Sequence, residues 1–262
     1  VTRDVRARQG IRRCSGATLM ELMVVVGVVG VLAAMLLPAM ASTRGKARKI
    51  QCIGNLRQMG QASLVYAVDD ARRSLSGRTE AADVSMGYLH PLIRTTRPFV
   101  CPATRNSIST RSGPNPFTGM MELVDLQGLA SGREATHGLS YLSHAFIGHW
   151  TPYWTEVPQG GAGTRILPYL RKTTDLVVSY QKYHDAFGLA GVEPGPSRFW
   201  LVADNYWMGD VTAYPDEADN HGAAGVHVVY CDGHVEWVPH KSFLFQYEMD
   251  ADEGRVGVPL TY

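Results

Sequence analysis

Residues 22–43 carry no charge, and an acid, Glu21, stands immediately before them. A run of that length supplies the ~20 apolar residues that cross a bilayer as a helix. The acid constrains the chain further. A carboxylate drawn into the membrane costs roughly 2.5–3.5 kcal/mol on insertion scales unless it finds a partner. Arg3, Arg6, Arg8, Arg12 and Arg13 precede the run while Arg44, Lys46, Arg48 and Lys49 follow it, so the charge difference across the span is small and fixes no orientation. A cleaved secretory signal shares the basic front and the apolar middle, and Ala39-Met40-Ala41 offers it a cutting site. The run is nevertheless longer than a signal core of about 7–15 residues, and it opens on an acid.

The residues ahead of the run sharpen this reading. A short basic segment ends in Gly16, and Ala17, Thr18, Leu19, Glu21 and Leu22 follow, with Pro38 further along. In these positions the chain resembles the type IV prepilin and type II secretion pseudopilin family, with Ala17 where Phe is usual and Pro38 where the family has its helix-kinking proline. The stretch 51–60, which contains Cys52, Asn55, Leu56, Arg57, Gln58 and Gly60, is similar to the family's "CxxNLRQxG" continuation. The resemblance implies a leader over 1–16, a transmembrane helix over 17–43, an amphipathic continuation over 44–70 and an exterior head over 71–262. It implies cutting between Gly16 and Ala17 and N-methylation of Ala17 by a prepilin peptidase. Glu21 would recruit and register an incoming subunit by pairing with the amino group that cleavage creates. The expected fold is α+β and pilin-like, a long helix packed on a small antiparallel sheet. The expected location is the inner membrane, single-pass, with the head in the periplasm or in a filament. Prepilin peptidase, other pilin or pseudopilin subunits and membrane lipid are the expected partners. The alternative is a membrane-anchored exterior domain that binds a ligand or metal and never polymerises, which needs neither Glu21 nor the Gly16–Ala17 junction.

The formal net charge of +1 is uneven: +4 over 1–16, −1 at Glu21, +5 over 44–57 and hence −7 from Gln58 onward. An acidic head argues against nucleic acid, because phosphate binding depends on Lys and Arg. Of four cysteines, Cys14 would leave with the leader. Cys52, Cys101 and Cys231 would then allow one disulfide and one spare thiol in an oxidising compartment, with the pairing open.

Past Pro38 the helix is expected to resume on a face formed by Ile50, Ile53, Leu56, Met59, Ser63 and Tyr66, which recur at three- and four-residue steps. The region 71–135 is rich in turn-forming residues and reads as loops with short helices. A strand can open near Tyr141, and 175–180 and 199–204 are the better strand candidates, being rich in Val and aromatics. The glycine-rich segment 160–163 lacks the Lys-Ser/Thr of a phosphate loop and reads as an ordinary loop.

Residues 226–238 hold two β-rich runs around Asp232-Gly233. A two-residue type I′ turn there pairs Cys231 with His234, Tyr230 with Val235, Val229 with Glu236, Val228 with Trp237 and His227 with Val238. Val226, Val228, Tyr230, Val235 and Trp237 then share a core face, while His227, Cys231 and His234 share the other and offer zinc-type ligands. The stretch also resembles the family's "H-X9-DG" motif, although ten residues separate His221 from Asp232, giving H-X10-DG.

No H-E-x-x-H or G-x-S-x-G is present, so an enzyme is not expected and no catalytic residue is assigned. From Phe199 onward eleven acids face only Lys241 and Arg255. The plain reading is solvated acids. The sharper one is a calcium site built from Asp204, Asp210, Asp216 and Asp219 beside Gly209, since calcium takes 6–8 oxygen ligands; no motif requires this or any other cofactor.

Overall fold

In the computed structural model the described residues are 18–77, 85–115, 119–127, 138–144, 146–147, 156–159, 163–166, 170–183, 185–204 and 220–252. The architecture is α+β, a long N-terminal helix with small antiparallel sheets. The chain divides into two units, Val1–Ala47 and Arg48–Tyr262.

Helix α1 (Leu19–Asp69) contains Pro38 and runs through both units. Within the first unit its Leu, Val and Met side chains are exposed on every side. This part is long and apolar enough to cross a membrane. Thr18 starts it. The Thr18 N–H and hydroxyl both donate to Glu21 Oε2, at 2.8 and 3.0 Å, and Glu21 N–H donates back to Thr18 Oγ1 at 3.3 Å. This is a capping box, in which a threonine and a glutamate three residues later satisfy each other's orphan donors.

In the second unit α1 buries Cys52, Asn55, Leu56, Met59, Gly60, Ser63 and Ala67, a stripe at helical spacing. The expected stripe is met at Leu56, Met59 and Ser63, while Ile50 is 69% exposed and Cys52 opens the buried face. Gly60 lets the helix approach the sheet, since a Cβ there would meet Val229 Cγ2 at 2.6 Å.

The remaining elements follow in order. They are α2 (His90–Ile93), the hairpin β1 (Ser112–Pro114) and β2 (Met121–Leu123), β3 (Tyr141–Ser143), β4 (Phe146–Ile147), the pair β5 (Glu156–Gln159) and β6 (Gly163–Ile166), β7 (Leu170–Arg171), α3 (Leu176–Ser179), β8 (Trp200–Asp204), β9 (Gly225–Tyr230), β10 (Val235–Pro239) and α4 (His240–Ala251). The main sheet is antiparallel with order β10-β9-β8-β3. Every residue of β8 and β9 is buried. Val202, Val229 and Cys231 join Cys52, Leu56 and Met59 of α1 in one core. Trp200, Val226, Val228, Tyr230 and Val238 join Phe243, Tyr247 and Ala251 of α4 in a second core. The sheet is thus covered on both sides, and α4 supplies the second layer.

Two expectations are corrected. Residues 176–179 form a helical turn in place of a strand, because Thr173 Oγ1 accepts from Leu176 N–H at 3.1 Å and Ser179 Oγ donates to Asp175 O at 3.2 Å. These local side-chain to backbone bonds outweigh the β preference of Val177 and Val178. The hairpin is also one residue out of the expected register: Val235 opposes Val229, Glu236 opposes Val228 and Trp237 opposes His227. Its loop has three residues, Cys231, Asp232 and Gly233. Gly233 N–H donates to Tyr230 O at 2.8 Å, Tyr230 N–H donates to His234 O at 2.9 Å, and Gly233 has φ +87°. This is a type I turn closed by a left-handed glycine. The added loop residue moves every β10 side chain to the opposite face. Trp237 leaves the Val228–Tyr230 side and is only half-buried, lying against His227.

Candidate functional site

Four segments bring ligating side chains to one place. Cys52 comes from the buried stripe of α1, Cys101 from the Cys-Pro turn after residues 97–99, Asp204 from the last position of β8, and His221 from the turn before β9. One ligand atom from each lies within 4.8 Å of all the others, the one such grouping of three or more among the described residues. Cys52 Sγ is 3.4 Å from Cys101 Sγ, 3.2 Å from Asp204 Oδ1 and 3.4 Å from His221 Nε2. His221 Nε2 is 3.6 Å from Cys101 Sγ and 3.4 Å from Asp204 Oδ2. Cys52, Cys101 and Asp204 are buried, and the His221 side chain is 4% exposed.

Surrounding groups fix each donor. Asp204 Oδ2 accepts from the His227 N–H at 2.7 Å and lies 2.9 Å from His227 Nδ1. Ala103 N–H donates to Cys101 Sγ at 3.5 Å. Tyr141 Oη sits 3.1 Å from Cys52 Sγ and accepts from Asn55 Nδ2 at 3.2 Å. Asn220 Nδ2 donates to Ser140 O and reaches Asp204 Oδ1 at 3.5 Å. The His227 ring stands edge-on to His221 and Trp237, both at 4.7 Å, and Lys49 Nζ lies 4.3 Å from the Trp237 ring centroid.

The electrostatics describe one shared proton between two sulfurs. The Cys52 S–H donated to Cys101, against burial and with help from His221, lowers the Cys101 thiol to about 6. The same bond, burial and the Asp204 charge push Cys52 up. Burial works to raise Asp204, yet the hydrogen bond from His227 and the field of His221 outweigh it and leave its carboxyl below the usual value. Burial works to lower His221, but Cys101 and Asp204 prevail and raise it. Two cysteine sulfurs, a carboxylate and an imidazole with ligand atoms within 4.8 Å of one another form a donor set for a thiophilic divalent cation.

The residues singled out from sequence fall variously. His227, Cys231 and His234 do not converge: His227 turns to Asp204, Cys231 Sγ lies 3.6 Å from Trp200 O in the core, and His234 binds Asp232 and stacks on Tyr230. Asp204 is buried beside sulfur and nitrogen donors, a setting unlike an oxygen-lined calcium loop. Asp210, Asp216 and Asp219 lie outside the described residues, as do Gly16, Ala17 and the 160–162 part of the glycine-rich loop. Glu21 is the capping residue of α1.

Several of the C-terminal acids are not solvated. Asp250 is buried, accepts from Lys172 Nζ at 2.5 Å and Trp200 N–H at 2.6 Å, and lies 2.9 Å from His144 Nδ1. Asp252 pairs with Lys182 at 3.1 Å and accepts from Tyr180 Oη at 2.5 Å.

In sequence Cys101 stands only as a disulfide candidate, Cys52 as that and as part of the "CxxNLRQxG" stretch, and His221 only as part of a motif. The available signal was a His and a Cys-Pro in a chain whose cysteines do not pair off evenly. The capping box was legible as T-x-x-E before an apolar run. Set against family models, curated proteins and solved structures, the chain matches none of them.

Proposed function

We propose that the chain is a pilin-like structural subunit of a type IV pilus or type II secretion-like filament. It is held in the inner membrane by the apolar half of α1, with an exterior head, and processed between Gly16 and Ala17 by a prepilin peptidase. The observation that carries this reading is the construction of α1. A single helix opens on Thr18 and Glu21, continues through an uncharged apolar stretch, and ends as a stripe buried in an α+β head. An anchor alone needs no acid at its front edge and no continuous helix into the head.

One observation favours the second reading, a membrane-anchored metal-binding domain that does not polymerise: the Glu21 carboxylate already has a partner in Thr18. The two readings assign Glu21 different work, and one substitution separates them. Glu21→Gln keeps an oxygen that can accept from Thr18 but removes the charge that a neighbouring subunit's amino group would need. In a sheared-filament or cross-linking assay, Glu21→Gln is expected to insert in the membrane normally and to be missing from filaments. Wild-type incorporation of Glu21→Gln reduces Glu21 to a cap and overturns the assembly role. Intact mass is expected to show loss of 1–16 and a methylated Ala17.

A further inference from the structure

We infer that Cys52, Cys101, Asp204 and His221 form a tetrahedral structural site for a zinc-class divalent cation, which joins the head half of α1 to the sheet. The inference stands on geometry. With Zn–S near ~2.3 Å and Zn–N or Zn–O near ~2.0–2.2 Å, the edges of a tetrahedral site come to roughly 3.3–3.8 Å. Cys52 Sγ lies 3.4, 3.2 and 3.4 Å from Cys101 Sγ, Asp204 Oδ1 and His221 Nε2, and His221 Nε2 lies 3.6 Å from Cys101 Sγ, four separations near those edges, while His221 reaches the other carboxylate oxygen, Oδ2, at 3.4 Å. What marks the cluster is that two sulfurs, a carboxylate and an imidazole from four separate segments all lie within 4.8 Å of one another in the interior.

The support around the donors is of the kind metal sites use. His227 holds one carboxylate oxygen through both its backbone N–H and its ring, which leaves Oδ1 to face Cys52 Sγ at 3.2 Å. Ala103 N–H points at Cys101 Sγ, stabilising negative charge on that sulfur. Two sulfurs and an imidazole select zinc over calcium or magnesium, which prefer oxygen. Four protein ligands would close the coordination sphere, as in structural rather than catalytic zinc sites.

Binding releases to solvent the proton that Cys52 and Cys101 share and any on His221, and sets two thiolates, one carboxylate and a neutral imidazole against the two positive charges of the ion. The rival chemistry is a Cys52–Cys101 disulfide. It requires an oxidant to take two electrons from the sulfurs, and it removes both from coordination. The three cysteines among the described residues are free thiols.

The test uses the full chain extracted in detergent, grown with zinc and washed free of loosely held ion. Elemental analysis is expected to give one zinc per chain. Cys52→Ser, Cys101→Ser and His221→Ala are expected to lose it, while Cys231→Ser, altered at a sulfur outside the site, retains it. Because a ligand variant can fail to fold, the unaltered chain is also reloaded with cobalt. A thiolate-to-cobalt charge-transfer band with intense tetrahedral visible bands is the expected result. Zinc no higher than background in the unaltered chain, a cobalt spectrum without the thiolate band, or a Cys52–Cys101 disulfide peptide in a non-reducing digest of the native protein would each overturn the inference. None of these outcomes bears on filament incorporation, so the two readings fail separately.

Discussion

Asp250 shows how much a single buried charge can carry. It accepts from the Lys172 ammonium and the Trp200 amide and lies beside His144, all within the buried interior. Removing the carboxylate would leave the Lys172 charge uncompensated, so Asp250→Ala is expected to cost about 3–5 kcal/mol in thermal or denaturant unfolding of the detergent-extracted chain. His144 makes the same cluster sensitive to acid. Burial lowers its pKa from the ordinary 6.5, with the Asp250 hydrogen bond opposing that shift only in part. A group lowered on folding takes up its proton more readily when unfolded. Its contribution is therefore complete above about pH 6.5 and is lost as pH falls toward the folded value. Asp250, itself held below 3.8, adds a further loss only in stronger acid. The melting temperature is expected to drop on acidification below pH 6.5, and His144→Gln should flatten the profile through that window. Parallel profiles for the two chains would assign the acid sensitivity to another group. None of these roles was visible in sequence, where the C-terminal acids read as a solvated surface. Their partners, Lys172, His144 and Trp200, lie 50 to 106 residues away.

At the scale of elements, local chemistry was legible wherever it acted alone. The apolar stretch, the helix past Pro38, the strand at 200–204 and the hairpin around Asp232-Gly233 all follow from pattern and turn residues. Errors came where two local signals competed, as with Thr173 against Val177 and Val178, or where one loop residue decided a register. The buried face of α1 was legible at Leu56, Met59 and Ser63 and missed at its start, because Ile50 outranks Cys52 in apolarity, whereas Cys52 is placed by the partners it meets at Cys101, Asp204 and His221. The corrected geometry has consequences of its own. Gly233→Val forces a β-branched residue to φ near +87° and crowds Leu64 Cδ1, which lies 3.2 Å from the added Cβ. It should cost more than the ~1 kcal/mol typical of point mutations. Gly60→Val drives a Cβ into Val229 and should cost about 1–3 kcal/mol through overpacking. Trp237→Ala, at a half-buried position, should cost less than the ~3–5 kcal/mol of a fully buried tryptophan. A melt in which Trp237→Ala is the most damaging of the three would restore the sheet faces expected from a two-residue turn.

For the molecule as a whole, two cores share one sheet, and the strands buried on both sides come late in the chain. A chain cut after residue 223 keeps all of α1 and β8 but lacks β9, β10 and α4. It is expected to be degraded rapidly in limited proteolysis under conditions in which the full head resists; a protease-resistant head in that truncated chain would show that the first core stands without β9. The same arrangement bears on synthesis. The stripe from Cys52 to Ala67 leaves the ribosome about 160 residues before Tyr230, which at ~5–20 residues per second is roughly 8–30 s. During that interval Phe99, Tyr141 and Val202 of the same core are made, but Val229 and Cys231, which complete it, are still missing. The part of the helix face that β9 covers, where Gly60 lies against Val229, is therefore the last to be covered as the chain is made.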